Sequence, residues 1–200
     1  ALPVDALSIS AHKFQGPRGV GALVMPKPQG LQPQLLGGGQ ESGLRSGTES
    51  PWLVAAMVDA LELRFNQQPQ LAGAMAELRD GLWQQLSAVR GLDRVGRWSR
   101  AECLPHHLAL VLSSAQGEPL SARAAVRQLA QAGVAVSSGS ACSSGKDQAN
   151  PALVALGYGP RQARSGLRLS VGPWLHQRDF QALPALLESV LRQLPTVELP

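Results

Sequence analysis

Short apolar runs separated by polar and glycine-rich segments give the chain a pattern of alternating strands and helices. Runs bounded by Gly, Pro or small polar residues predict strands at 6–10, 20–25, 108–112, 134–136 and 166–172. We expect the first two strands to be buried, because their apolar residues form short runs between turn signals. The longer segments between the later strands show helical spacing instead.

Apolar residues recur at helical spacing over 52–65, and Ser50 and Pro51 suit the N-cap and the first turn of that helix. A proline inside a helix removes one backbone hydrogen bond, and its ring clashes with the preceding turn. We therefore expect Pro69 to end this helix and a second helix to run over 70–89.

Further helices are predicted at 119–133, 150–157 and 178–194, and we expect Pro184 to interrupt the last of them. Strands that alternate with helices predict an α/β fold, in which helices pack on a sheet. We place a domain boundary within the paired helices, which divides the chain into residues 1–75 and 76–200.

The composition is that of a globular protein, since 44% of the 200 residues are hydrophobic and 16% are charged. The net charge of +4 comes from scattered arginines without interleaved aromatic residues, which argues against nucleic-acid binding. The chain has neither an apolar run of about eighteen residues nor a signal-peptide pattern, so we expect no membrane segment. With two cysteines, Cys103 and Cys142, we expect free thiols in a reducing cytoplasm, and we expect no metal site.

Lys13 lies in the segment SISAHKFQGPRGVGAL, directly after a predicted strand and before a Gly/Pro turn. One interpretation is a solvated surface lysine at a strand end. The other is a Schiff-base lysine, which reacts when it is partly desolvated or lies near another cation. His12 and Arg18 are the nearby cationic groups, and Ser10 and His12 are suited to donate hydrogen bonds to an anion such as phosphate.

Cys142 lies in the run VSSGSACSSG at 136–145, where no bulky side chain is close in sequence. A thiol reacts as the thiolate and needs access, which serine and glycine neighbours allow. The alternatives are a reactive thiol and an incidental cysteine in a flexible linker. Cys103 borders a predicted strand and is interpreted as a structural thiol.

Arg168 alternates with Leu167 and Leu169 in a predicted strand. On a half-exposed sheet such an arginine points to solvent. On a buried sheet it needs an anionic partner, for example a carboxylate that accepts two parallel hydrogen bonds.

The glycine-rich segment GGGQESGLRSGTES carries Thr48 and several backbone N–H groups that suit the approach of a phosphate. Its spacing matches neither a P-loop nor a dinucleotide fingerprint. Together the four features supply parts for chemistry on an amino acid: a lysine for an aldehyde cofactor, anion donors, an arginine for a carboxylate, and a thiol.

The segments SAHKFQGPRGVGAL, GGGQESGLRSGTES, VSSGSACSSG and GLRLSVG occur in the order and approximate spacing of the cysteine desulfurases. Over nearly its whole length the chain resembles these class V, fold type I enzymes, which depend on pyridoxal 5′-phosphate. The Ser-Gly-Ser-Ala-Cys loop resembles the NifS/IscS-like branch, group I. The resemblance implies the end of a large cofactor-binding domain over 1–75 and a small C-terminal α/β domain over 76–200.

The resemblance also implies a cofactor site. Lys13 would bind pyridoxal 5′-phosphate as a Schiff base, and Ser10 and His12 would bind its phosphate. Thr48 would reach the phosphate of the cofactor in the other subunit, which implies a homodimer with shared sites.

A substrate site and a sulfur carrier are implied in the same way. Arg168 would bind the carboxylate of L-cysteine, and Cys142 would accept its sulfur as a persulfide while L-alanine leaves. The sulfur would pass to an acceptor protein for iron–sulfur cluster or thio-cofactor synthesis.

The chain departs from the family pattern in two respects. Ser42 occupies a position where the glycine-rich loop of the family usually has arginine. The resemblance begins about halfway along the family's length, so we expect a C-terminal fragment of a longer enzyme, without the residues that contact the cofactor ring. The alternative functions are therefore another class V enzyme, such as an aminotransferase or lyase, and a non-catalytic fragment.

Overall fold

The fold, obtained as a computed structural model, divides into two compact units. Unit 1 is Ala1–Pro69 and unit 2 is Gln70–Pro200. The mixture of strands and helices confirms the predicted α/β class. The structure describes residues 3–27, 30–96, 99, 103–139 and 149–198.

Unit 1 contains an antiparallel hairpin made of strands β1 (Leu7–Ser10) and β2 (Gly21–Val24). Both strands occur where the sequence predicts them, but the expectation that they are buried is wrong. Leu7, Leu23 and Val24 are 43%, 50% and 55% exposed. The hairpin forms a two-stranded sheet among the described residues, and so small a sheet offers little apolar surface on which to bury its own side chains.

A single helix, α1, runs from Pro51 to Leu86. It begins at Pro51 as predicted, but the expected break at Pro69 is wrong. Proline forfeits one backbone hydrogen bond, yet its φ of about −65° is itself helical. Good helix formers such as Gln and Leu flank it, so the helix continues with one donor missing.

Unit 2 is built on an antiparallel sheet with the strand order β3-β4-β5. The strands are β3 (Leu92–Arg94), β4 (His107–Leu112) and β5 (Gly166–Ser170). The sequence predicts β4 and β5 correctly. It did not predict β3, because the segment LDR contains one apolar residue and shows no alternation.

The helices of unit 2 are the C-terminal part of α1 together with α2 (Ala122–Gln131), α3 (Pro151–Ala155) and α4 (Leu183–Leu191). Ser121 caps α2 and Asn150 caps α3, since each side chain accepts a hydrogen bond from a backbone N–H of the first turn. No helix within the described ranges is both long enough and apolar enough to cross a bilayer.

One predicted element of unit 2 is absent from the structure, and one predicted interruption is confirmed. The segment 134–136 is not a strand; instead Ser137 forms an isolated bridge with Arg168. The helix predicted over 178–194 is interrupted near Pro184, as expected: a 3-10 helix, Gln177–Phe180, is followed by α4, whose first turn contains Pro184.

One face of the sheet and the helices packed on it enclose the main core of unit 2. In the antiparallel register Leu108 lies opposite Leu169, and both belong to this core. Successive residues of a strand point to opposite faces. The other face of the sheet therefore carries His107, Ala109 and Arg168.

Candidate active site

A tight turn at the end of β1 carries three of the predicted site residues. Ser10 is the last residue of β1, and His12 and Lys13 lie on the 3-10 helix that follows, Ala11–Phe14. All three side chains are exposed. They are therefore accessible to a ligand, and burial within this chain does not desolvate Lys13.

The residues after Lys13 reverse the chain within a few positions. Gln15 adopts a φ of 69°, and its side chain accepts a hydrogen bond from Arg64 of α1. The N–H of Gly16 donates to the carbonyl of Ala11 at 2.8 Å, and a Cβ at this glycine would lie 2.9 Å from the Cβ of Ala11. Only glycine is compatible with this contact, so the turn that carries the lysine is specified locally.

The glycine-rich segment before α1 folds back on itself and presents Thr48 to solvent. The N–H of Gly43 donates to the carbonyl of Gly39 at 3.0 Å, and the N–H of Gly47 donates to Oε1 of Gln40 at 3.2 Å. These bonds occupy two backbone N–H groups of the segment, which are therefore not available to a ligand. Thr48, which follows directly in unit 1, retains an accessible hydroxyl.

Ser42 lies at a strained point of the same segment. Its φ of 56° and ψ of 34° place it in the left-handed region, which residues other than glycine rarely adopt. Its neighbour Glu41 has a φ of 49°. The position at which the chain departs from the family pattern is therefore a conformationally demanding turn residue.

Arg168 lies in the middle of β5, on the face of the sheet opposite the main core. Its neighbours Leu167 and Leu169 are 1% and 5% exposed, whereas Arg168 is half-buried. It pairs with Ala109 of β4, and its N–H donates to the carbonyl of Ser137 at 2.7 Å on the other side. Arg168 is thus neither fully exposed to solvent nor fully buried, which were the two predicted possibilities. A half-buried guanidinium can bind an anion that arrives from solvent.

Cys142 lies in the segment 140–148, outside the described residues. The described residues on either side of this segment lie near β5. A Cβ at Gly139 would lie 3.7 Å from Nδ2 of Asn150, and a Cβ at Gly166, the first residue of β5, would lie 3.8 Å from the same atom. The described residues on both sides of segment 140–148 therefore lie near the strand that carries the predicted carboxylate-binding arginine.

His107 is a residue of this face that the sequence-based prediction missed. It is half-buried and lies opposite Ser170, on the same side of the sheet as Arg168. Burial lowers the pKa of His107, and the positive charges of Arg168 and then His106 lower it further. The alternation of β4, which places His107 and Ala109 on one face, could have identified it once the strand register was known.

The structure thus groups the predicted site residues in two places. Ser10, His12 and Lys13 lie on one turn of unit 1, whereas Arg168 lies in unit 2. Cys103, interpreted as a structural thiol, is half-buried. Within the described parts of the chain, no group of three or more His, Cys, Asp or Glu side chains could hold a metal ion.

The chain matches the sequence model of the aminotransferase class-V family over residues 1–183, and it therefore belongs to that family. It is also similar to the cysteine desulfurase IscS of Dictyoglomus turgidum. The two are 33% identical over 196 residues, which cover 98% of this chain and 48% of that protein.

Solved structures show the same fold. A NifS-like protein from Rickettsia africae is 26% identical and superposes with a TM-score of 0.78 over 94% of this chain and 48% of its own. SspA in complex with cysteine is 25% identical, with a TM-score of 0.58 over 86% of this chain and 45% of its own. The chain spans about half the length of the curated relatives it matches.

Proposed function

We propose that the protein to which this chain belongs is a pyridoxal 5′-phosphate-dependent cysteine desulfurase. It converts L-cysteine to L-alanine and transfers the sulfur to Cys142 as a persulfide. The observation that carries this proposal is that the described residues flanking the Cys142 segment on both sides lie near β5, the strand of Arg168. A group that binds the substrate carboxylate and a thiol that takes the substrate sulfur must reach the same small molecule. The relative from Dictyoglomus turgidum and the cysteine complex of SspA support the choice of substrate.

The turn at the end of β1 fits an aldehyde cofactor that carries a phosphate. It places the primary amine of Lys13 in the same turn as the hydroxyl of Ser10 and the imidazole of His12, all of them exposed. A lysine amine binds an aldehyde carbon covalently, and hydroxyl and imidazole groups donate hydrogen bonds to phosphate. When bound, pyridoxal 5′-phosphate supplies an electron sink next to the substrate α-carbon.

Thr48 extends this proposal to a homodimer. Its hydroxyl is exposed at the end of the folded glycine-rich segment. We infer that it donates a hydrogen bond to the phosphate held by the other subunit. The active species would then be a dimer in which each site needs both chains.

The residues of the chain divide the chemistry among them. Arg168 orients the substrate carboxylate through two parallel hydrogen bonds. The amine of Lys13 takes a proton from the substrate α-carbon and returns one later. The thiolate of Cys142 attacks the substrate sulfur, so an S–S bond forms while the C–S bond breaks. The C–S electron pair remains on carbon and is protonated, which converts L-cysteine and a thiol into L-alanine and a persulfide without an external oxidant.

The persulfide then passes to a separate acceptor protein for iron–sulfur cluster or thio-cofactor synthesis. This transfer requires an accessible thiol, and the serine and glycine residues around Cys142 provide no bulky cover in the sequence. It also requires a reduced thiol, so the reducing cytoplasm belongs to the proposal.

Replacing Cys142 tests this function most directly. In the holoenzyme supplied with L-cysteine, Cys142→Ala should lose the protein-bound sulfur and form alanine at least about a hundredfold more slowly, because the nucleophile is gone. Cys103→Ala is the matched control and should retain both properties. Intact-protein mass spectrometry detects the added sulfur atom independently of turnover. Alanine formation at the wild-type rate by Cys142→Ala would contradict the proposal.

The same measurements distinguish the alternatives. Another class V enzyme, an aminotransferase or a lyase, would need Lys13 and Arg168 but would form its product normally after Cys142→Ala. A non-catalytic fragment is the alternative suggested by the chain's covering only 48% of its relative. Such a fragment would gain no visible absorbance band when pyridoxal 5′-phosphate is added.

A further inference from the structure

His107 and Arg168 form a pair of nitrogen-bearing side chains on the open face of the unit 2 sheet. In the antiparallel register Ala109 lies opposite Arg168, and His107 lies opposite Ser170. His107 is therefore the diagonal neighbour of Arg168, at a separation that long side chains span. Ala109, which neighbours both of them on this face, has a small side chain.

Neither side chain has an acceptor among the residues that the structure describes. Within those ranges no hydrogen bond or ion pair involves the guanidinium of Arg168 or the imidazole of His107. Both residues are half-buried. Donors in such a position bind an anion strongly, because partial desolvation strengthens charge-assisted hydrogen bonds.

We propose that His107 is a second binding group for the substrate carboxylate, beside Arg168. The inference rests on the proposed function only in identifying the anion as the carboxylate of an amino acid. A carboxylate offers about four lone-pair positions, of which a guanidinium fork uses two. An imidazole N–H from the adjacent strand can therefore bind the same carboxylate without displacing the arginine.

The charges around His107 determine how this binding depends on pH. Arg168 on β5 and His106 next to it in the chain are the cationic groups that face it. Asp93 of β3 lies opposite Val111, at the other end of the same face. Helix α3 and residues 134–139, the described residues that lead into the Cys142 segment, carry no titratable side chain.

The sign of the dependence follows from these charges. Burial lowers the pKa of His107 most, followed by Arg168 and His106. A carboxylate bound at Arg168 offsets that positive charge, so the pKa of His107 should rise when the ligand binds. Linkage is reciprocal, so the carboxylate should bind more tightly when His107 is protonated and more weakly as the pH rises through its pKa.

Nuclear magnetic resonance of the holoenzyme labelled with ring-¹³C histidine tests the inference. The chain has 4 histidines, and the His107 signal is identified by its loss in His107→Gln. L-Alanine serves as the probe, and L-alaninamide is the matched probe without a carboxylate. We expect L-alanine alone to raise the pKa of His107, and we expect Arg168→Gln to raise it without any probe.

The dissociation constant of L-alanine, measured by calorimetry across pH, gives a second readout. It should increase about fivefold or more from below to above the His107 titration, which is the lower range of ordinary coupling between sites. His107→Gln should make it nearly independent of pH. His176→Gln, which replaces an exposed histidine, is the control and should keep the wild-type dependence.

Two results would overturn the carboxylate role of His107: a pKa that L-alanine leaves unchanged, or a pH dependence that survives His107→Gln. Both measurements proceed without turnover. If the enzyme forms no alanine from L-cysteine while L-alanine still moves the His107 signal, the proposed function fails and the carboxylate site stands. If a persulfide forms on Cys142 while the His107 signal stays fixed, the function stands and this site fails.

Discussion

Unit 1 leaves Trp52 and Phe65 85% and 79% exposed, whereas unit 2 buries Leu110 completely. Among the described residues of unit 1, Ala11 and Met57 are the apolar side chains that are buried. Unit 2 instead encloses a large core between its sheet and its helices, and a smaller buried cluster of Val111, Leu153 and Ala163. The two parts of one chain therefore differ in the source of their stability.

The two units show that a segment can be ordered by local hydrogen bonds without being buried. The turn that carries Lys13 is shaped by short-range hydrogen bonds and by Gly16, and it requires little apolar packing. Arg168 and His107 depend on a packed sheet, whose opposite face forms the core. Mutations should accordingly separate activity from stability in unit 1 and affect stability strongly in the core of unit 2.

The largest effect is expected at Lys13, where activity and stability should separate. Lys13→Ala in the holoenzyme should remove the visible absorbance of the bound cofactor and slow alanine formation by about a hundredfold to ten-thousandfold, the range of lost general acid–base catalysis. The free energy of unfolding should stay within about 0.5 kcal/mol of the wild type, because the side chain is exposed. Lys27→Ala, another exposed lysine of unit 1, should change neither quantity.

Leucine truncation compares the packing of the two units directly. Leu110→Ala should lower the free energy of unfolding by about 3 kcal/mol, because it leaves a cavity in the core of unit 2. Leu23→Ala should cost less than about 1 kcal/mol, because that side chain is 50% exposed. Chemical denaturation of the 200-residue chain measures both. Equal losses of unfolding free energy in the two variants would show that the hairpin of unit 1 is covered in solution. The two units would then not differ in how they bury apolar side chains.

Pro69 tests the helix that joins the two units. Pro69→Ala should raise the free energy of unfolding by about 2 kcal/mol: a helical proline costs about 3 kcal/mol, and the more flexible unfolded chain offsets about 1. Pro69→Gly restores the same N–H but should gain less, because glycine is itself a poor helix former. A loss of stability in Pro69→Ala would mean that α1 is not continuous at this residue.

Substitutions of Ser42 should change the free energy of unfolding least. Ser42→Gly should stabilise the chain by about 0.5 kcal/mol, because glycine adopts a φ of 56° without strain. Ser42→Ala keeps the strained Cβ and should give no gain. Thermal unfolding of the three proteins side by side distinguishes them, and a matching gain in Ser42→Ala would rule out backbone strain as the cause.

Several features were predictable because they depend only on neighbouring residues. Asn150 and Pro151 begin α3 as predicted, and the Asn150 side chain accepts a hydrogen bond from the N–H of Ala152 at 3.0 Å. Gly133 follows α2 with a φ of 80°, as expected of a residue just past a helix end. Such signals involve a few consecutive residues and survive in any tertiary context.

Other predictions failed because they depend on what lies elsewhere in the chain. The apolar pattern of β1 and β2 predicts strands correctly but says nothing of whether a second layer covers them. The proximity of His107 to Arg168 was not predicted, because it depends on the register of two strands that are distant in the sequence.

The sequence by itself therefore determined the α/β class, the strands β1, β2, β4 and β5, the turn that carries Lys13 and the family to which the chain belongs. The tertiary structure decided which apolar residues are buried, whether α1 continues through Pro69 and which side chains share a sheet face with Arg168. The physical reason is range: caps and turns are made by adjacent residues, whereas burial and strand register are set by contacts between residues far apart in the chain.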